Sequence, residues 1–585
     1  MALRVFQLHD HLMPFLTAFK TQDGLVLRVI VISALLLTAA RTIAPFEVRG
    51  DQAVQLEVAH RLAQGFGITT TNTKPVAQDD VLLERPAQYL TDWPPGLSVL
   101  VAAFLYIGLP LLMTLQIIYA VTTITGWVGW AIIAGHFIAR PSACGKLTSF
   151  IHLTVCALIP ILFTPSWGGT DLFLWAGIPF VFMCLLGIGG KQPSLLAIGF
   201  AGLLFGSLFA MRYTSLFLGL AAILVILQVS YPRTRIFLTR LTVFGLSALT
   251  VMLPVVVFLL YARSVRDVSP KILTGAARPF LVRVGYIVKG LYVTSTLVLG
   301  HPLLVQIPYT LKVNWLAYLI GIVCVIILLS LPVFLWRSAS ANGTKLADDA
   351  TLGLSFLPPS LVVFMIAVAL TTAPYYLYVS RYYEPVALCG VFIFFHLANR
   401  RGINGIVKKA SNAIVLMFIL YVGIFSPALA FTQRRASLVI SILGFTPNTS
   451  RYQSTSQKIE YPSFRIYSRN ETSRERVRQL YRDNPEALFY AQSYANFIYD
   501  GFQGGPVPGR NFRPLPKPGL WKRAYISRPV RIFWILDDRD PNPLSFIPDS
   551  NKQLIFSDPI ERVKILASDF SVGPLLSTDQ LARNK

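Results

Sequence analysis

The stretch FEVRGDQAVQLEVAHRLAQGFGIT, residues 46–69, interrupts a chain otherwise dominated by long apolar runs. It carries Glu47, Arg49, Asp51, Glu57, His60 and Arg61, and it directly follows an apolar run at 25–44. That run is about as long as the 20 residues an α-helix needs to cross a bilayer. A polar, helix-forming segment placed just after it reads as the opening of a loop on the far side of a membrane. The question it raises is whether Asp51 only caps a helix there or does chemistry.

Composition agrees with a membrane setting. Of the 585 residues, 54% are hydrophobic and only 14% charged, with a mean hydropathy of +0.57. Soluble domains carry about 25% charged residues. The first apolar run is too long for the core of a secretory signal and no clean cleavage site follows it, so it reads as a retained span. The formal charge of +24 falls largely in short loops between apolar runs, as the positive-inside rule requires, and this argues against a nucleic-acid partner. Cys144, Cys156, Cys184, Cys324 and Cys389 lie in or beside apolar runs without a CxxC pair, so they read as small buried hydrophobes rather than a zinc site or disulfide framework.

Basic loops at Arg140/Lys146, Lys191, Arg233/Arg235/Arg240, Arg337/Lys345 and Arg400–Lys409 set the orientation. With these and residues 1–24 in the cytoplasm, eleven spans alternate consistently: 25–44, 112–139, 147–164, 172–189, 194–211, 214–230, 241–261, 314–336, 352–372, 382–399 and 411–431. Residues 25–431 thus form a membrane domain. Its first outer loop, 45–111, includes an apolar piece at 97–109 too short to span, which reads as an interfacial helix. The outer loop 262–313 is basic against a lone Asp267, either because long loops escape the charge rule or because cations are kept outside for a purpose. Residues 432–585 change composition and read as a small non-cytoplasmic α/β domain. Strands are expected at 487–490, 530–536 and 553–556, with a helix at 474–482 capped by Ser473. The fold class is mainly α, a polytopic helical bundle with this domain appended.

Ionisable residues at the membrane edge are costly and mark candidate function. Asp51 opens the first outer loop's helix, Asp171 closes the tight loop TPSWGGTD, and Arg381 sits in VSRYYEP at the outer end of the tenth span. All three fall on the non-cytoplasmic side. Each has a plainer reading: helix caps for the two acids, a snorkelling side chain for the arginine. At 100° per residue, Asp51 shares a helix face with Gln55, Val58 and Leu62, whereas Glu57 and His60 lie well round the helix. One helix cannot present Asp51, Glu57 and His60 to a single ion, so no metal site is assigned, and His60 reads as a surface or packing residue.

Five motifs, in order and on one side, resemble the GT-C superfamily of integral-membrane glycosyltransferases, in particular the dolichyl-phosphate-mannose-protein mannosyltransferase-like and aminoarabinose transferase-like bacterial proteins. They are GDQAVQLEVAHRLAQG, DWPPGLSVLVAAFLY, GGTDLFLW, FAMRYTSLFL and RYYEP, within residues 25–400. The family's frequent Asp-Glu pair is Asp51-Gln52 here, and the second loop has no Asp-x-Asp, which leaves a divalent cation neither assigned nor excluded. The resemblance implies a sugar carried on a polyprenyl phosphate or diphosphate, and a protein, lipid or glycan acceptor at the outer face of a multi-pass plasma (inner) membrane. It implies transfer with inversion, Asp51 as general base and Asp171 as a second catalytic carboxylate positioning the acceptor or a cation. Arg381, Arg212 and Tyr382 are implied on the donor phosphate. A transporter or lipid flippase is the alternative; it would more often show inverted repeats and helices broken at mid-membrane, whereas the sequence shows no such symmetry and its candidate charges sit at one surface.

Overall fold

The computed structural model describes chiefly residues 50–70, 88–138, 170–187, 193–230, 233–265, 279–284, 359–368, 471–492, 504–515, 525–537 and 551–574. In chain order these form α1 (Gly50–Ala63), β1 (Thr69–Thr70), β2 (Gln88–Tyr89), α2 (Gly96–Tyr106), α3 (Leu111–Ile138), α4 (Thr170–Leu186), α5 (Leu195–Met211), a 3₁₀ turn (Tyr213–Phe217), α6 (Leu218–Ser230) and α7 (Thr234–Val265). Then come α8 (Glu471–Asp483), β3 (Leu488–Ala491), β4 (Phe512–Pro514), β5 (Tyr525–Ile526), β6 (Val530–Asp537), β7 (Gln553–Asp558), β8 (Val563–Phe570) and β9 (Gly573–Pro574). Two compact units result: Met1–Ile43 with Tyr119–Ala436, and Ala44–Ile118 with Ser437–Lys585.

Among the described residues, three stretches are long and apolar enough to cross a membrane: Met113–Ile133, Tyr213–Ser230 and Thr234–Ala262. With α4 and α5 they match five expected spans within a few residues, except that α7 starts at Thr234 rather than 241. Arg235 and Arg240 therefore belong to a helix, not to a loop. The expected spans at 25–44, 147–164, 314–336, 382–399 and 411–431 lie essentially outside the described residues.

Close helix approach is made by small residues, the usual means where lipid supplies no hydrophobic drive between helices. Gly199, Gly202 and Gly206 line the side of α5 that meets α7; a Cβ on Gly206 would come within 2.6 Å of the Ala248 carbonyl. Gly126 and Gly129 do the same on α3, where Gly129 faces Pro179 and Phe180. Pro179 lies inside α4 and has no N–H to offer the carbonyl four residues back. That carbonyl, Trp175 O, accepts instead from Trp130 Nε1 at 3.0 Å. The helix break is thus repaired by the neighbouring helix. At the other end, buried Arg240 donates to Val229 O at 2.9 Å, Ser230 Oγ at 3.2 Å and Pro193 O at 3.3 Å, satisfying carbonyls at the close of α6 and the approach to α5.

In the second unit, α1 packs on α2, and β1 pairs with β2 antiparallel. A five-stranded mixed sheet runs in the order β4-β3-β6-β8-β7. The first three strands are parallel, and β8 is antiparallel to both β6 and β7. One face carries Leu488, Tyr490, Ile532, Trp534 and Leu536. On the other, Phe489 stacks on Phe533 at 4.9 Å and meets Tyr481 of α8 edge-on at 6.1 Å. The expected strands and helix are present. Strand β8 was not anticipated, and Ser473 lies inside α8 rather than capping it, since the helix already begins at Glu471.

Candidate active site

Helices α4 and α5 form an antiparallel pair, so the N-terminus of α4 and the C-terminus of α5 meet. Asp171 lies in the first turn of α4. Arg212 follows the last residue of α5 in extended conformation (φ −154°, ψ 121°), its N–H bonded to Leu208 O. An acid at a helix N-terminus and a base at a C-terminus both complement the helix dipoles. The side chains meet: Arg212 Nη1 lies 2.7 Å from Asp171 Oδ1, with side-chain exposures of 15% and 5%. The same nitrogen donates to Thr170 Oγ1 at 2.9 Å, and Arg212 Nε donates to Thr214 Oγ1 at 3.1 Å. Two threonines and a carboxylate therefore fix the plane of one guanidinium.

This joins two motifs that stand apart in the sequence, GGTDLFLW and FAMRYTSLFL. Asp171 is not merely a cap, and Arg212 is tied to it. Thr170 and Thr214 were not anticipated; their places immediately before the acid and two after the arginine are the only sequence signal. Arg381 and Tyr382 lie outside the described residues.

Asp51 is the second residue of α1, inside its first turn rather than at a capping position before it. The helix is closed at its far end by Gly65, whose φ of +84° suits the left-handed residue of a Schellman motif. Its signature bonds are present, Phe66 N to Arg61 O at 2.9 Å and Gly65 N to Leu62 O at 3.0 Å. Arg61 also sits 5.2 Å over the Phe66 ring and donates through Nε to Thr69 Oγ1 at 3.0 Å.

The motifs GDQAVQLEVAHRLAQG and DWPPGLSVLVAAFLY pack on each other. Val54, Val58 and Leu90 form a small core against which Trp93 and Ile68 lie. Pro95 occupies the N-cap position of α2 without a side-chain cap bond, and buried Ser98 donates to Gln55 O at 2.9 Å. At 11 residues, α2 is about 16 Å long, too short to span, as expected.

Residues 52–59 of α1 are all buried, including Gln52, Gln55 and, fully, Glu57. The sequence pattern places Glu57 well round the helix from Asp51 and carries no sign that its carboxyl is buried. Half-buried His60 has its pKa lowered to about 4 by desolvation, so it is neutral near pH 7 and acts as a packing residue. Among the described residues no cluster of three or more His, Cys, Asp or Glu could hold a metal ion.

No family model matches the chain, and no curated protein matches its sequence. Among solved structures it is similar to ArnT from Cupriavidus metallidurans bound to undecaprenyl phosphate, with 11% identity, a TM-score of 0.47 and coverage of 92% of this chain and 97% of that one. It is also similar to the archaeal oligosaccharyltransferase AglB from Archaeoglobus fulgidus in complex with an inhibitory peptide and a dolichol-phosphate, at 13% identity and a TM-score of 0.39, covering 86% of this chain and 65% of that one.

Proposed function

We propose that the protein is a membrane glycosyltransferase that moves a sugar from a polyprenyl-phosphate or diphosphate carrier to an acceptor hydroxyl on the non-cytoplasmic side. The observation that carries this reading is the Arg212 guanidinium, held in one orientation by Thr170, Asp171 and Thr214. Transfer from a lipid phosphate develops negative charge on the departing phosphate. A preoriented guanidinium stabilises that charge without reorganising during the reaction. Its planar fork suits phosphate oxygens.

In this reading Asp51 accepts the acceptor's hydroxyl proton as its oxygen attacks the anomeric carbon. The bond to the phosphate oxygen breaks, the electron pair leaves with the phosphate, and the anomeric centre inverts. Arg212, with Arg381 and Tyr382, takes up the phosphate charge. Asp171, with one oxygen on Arg212, orients that arginine rather than activating a nucleophile. A polyprenyl carrier, membrane lipids and a protein, lipid or glycan acceptor are the partners. The charged pair sits at helix ends rather than at mid-membrane, where a transporter or flippase more often breaks its helices.

The test uses purified full-length protein in nanodiscs with polyprenyl-phosphate-linked hexoses and pentoses. Asp51→Asn abolishes transfer while binding of bare polyprenyl phosphate persists, and Arg212→Met weakens that binding at least tenfold. Full transfer by Asp51→Asn removes the base; unchanged lipid-phosphate affinity in Arg212→Met removes the site.

A further inference from the structure

Gln55 lies one turn after Asp51 on the same face of α1. It is 3% exposed, yet its Oε1 meets no hydrogen-bond donor. A buried amide oxygen without a donor is destabilising, because it has given up water and gained nothing, and such groups in a folded protein call for a reason. Buried Gln52 and Glu57, its neighbours on the helix, each take part in an interaction of their own.

Gln55 is also not loosely placed. Its main-chain carbonyl accepts from buried Ser98 at 2.9 Å, which ties this turn of α1 to α2. Val54 and Val58 on either side belong to the core with Leu90 and Trp93. In helices, side chains lean toward the N-terminus, so the amide is carried toward the first turn, where Asp51 stands. A rigid backbone, a buried acceptor with no donor and a helix opening with an acid together describe a place prepared for a hydroxyl donor.

We propose that Gln55 is a specificity residue whose amide oxygen accepts a hydrogen bond from a hydroxyl of the transferred sugar. This rests on the glycosyltransferase reading and deepens it. Asp51 takes the proton of the attacking acceptor hydroxyl, whereas Gln55 recognises a non-reacting hydroxyl and exchanges no proton. The requirement it adds is stereochemical: a sugar lacking that hydroxyl leaves the amide unsatisfied, and sites built to bond a hydroxyl discriminate strongly against analogues without it.

The experiment compares affinities of the full chain in nanodiscs for bare polyprenyl phosphate and for polyprenyl-phosphate-linked hexoses and pentoses. The ratio of the two isolates what the sugar contributes. Gln55→Met and Gln55→Leu keep the volume and remove the acceptor. Both are expected to leave the thermal midpoint of the ligand-free protein unchanged or raised, and to leave affinity for bare lipid phosphate intact. The sugar's contribution should fall by about tenfold, the scale of one hydrogen bond.

A contribution unchanged in both variants overturns the assignment while the glycosyltransferase reading stands. So does a lowered midpoint in both, which would make Gln55 a structural residue. If the wild-type protein binds sugar-linked and bare lipid equally, the glycosyltransferase reading falls and takes this assignment with it.

Discussion

Replacing Asp171 with Asn keeps the size of the side chain and removes only its charge, leaving Arg212 in place with Thr170 and Thr214. Removing one partner of a buried ion pair costs roughly 3–5 kcal/mol, mostly because the other charge remains buried. At 15% exposure, Arg212 retains some water, and two threonine oxygens still accept from it, so the low end applies, about 3 kcal/mol. Arg212→Met should cost a similar amount or slightly less, because the α4 N-terminus stabilises a bare carboxylate by about 0.3–1 kcal/mol. The double variant buries no charge and should lose about 1 kcal/mol or less, far below the sum of about 6. The difference is a coupling energy of about 5 kcal/mol. Equilibrium unfolding in mixed micelles of increasing SDS fraction, followed by far-ultraviolet circular dichroism, measures all four corners of the cycle. Additivity within about 0.5 kcal/mol would show that the 2.7 Å contact is energetically idle, and the positioning role given to Asp171 would fail with it.

Two further expectations follow from particular contacts. Gly206→Ala drives a methyl against the Ala248 carbonyl at 2.6 Å and Val251 Cβ at 3.0 Å, and overpacking of this kind costs about 1–3 kcal/mol. Gly245→Ala in α7 meets nothing within 4 Å and should stabilise by up to about 1 kcal/mol; equal effects in the same unfolding assay would refute the α5–α7 seam. His60, with its pKa lowered from 6.5 to about 4, resists the proton that the unfolded chain accepts. Stability is therefore flat above about pH 7 and falls as pH drops from 6.5 toward 4, by at most about 3 kcal/mol and less for a half-buried ring. Hydrogen exchange of α1 amides should show that slope in the wild type and lose it in His60→Gln; an identical slope in both would assign it elsewhere.

How far these residues could be read in advance depended on the kind of force that places them. Membrane helices are set by length and hydropathy along a local window, so α3 to α6 lie within a few residues of expectation. The short α2 was legible for the same reason, and the start of α1 was marked by Gly50-Asp51. Strand β8 escaped because VKILASDF mixes charges into its alternation, and its pairing with β6 and β7 is a long-range choice.

The sequence by itself determined the membrane setting, the ends of most described helices and the short list of acids and arginines worth watching. These rest on the composition of contiguous residues. Only the tertiary structure decided that Asp171 holds Arg212, that Trp130 repairs the carbonyl Pro179 leaves open, and that Gln55 and Glu57 are buried. Each of those depends on which helix surfaces meet. That choice is made by side-chain packing between segments far apart in the chain, where a single methyl at Gly206 or a single missing N–H at Pro179 changes the outcome.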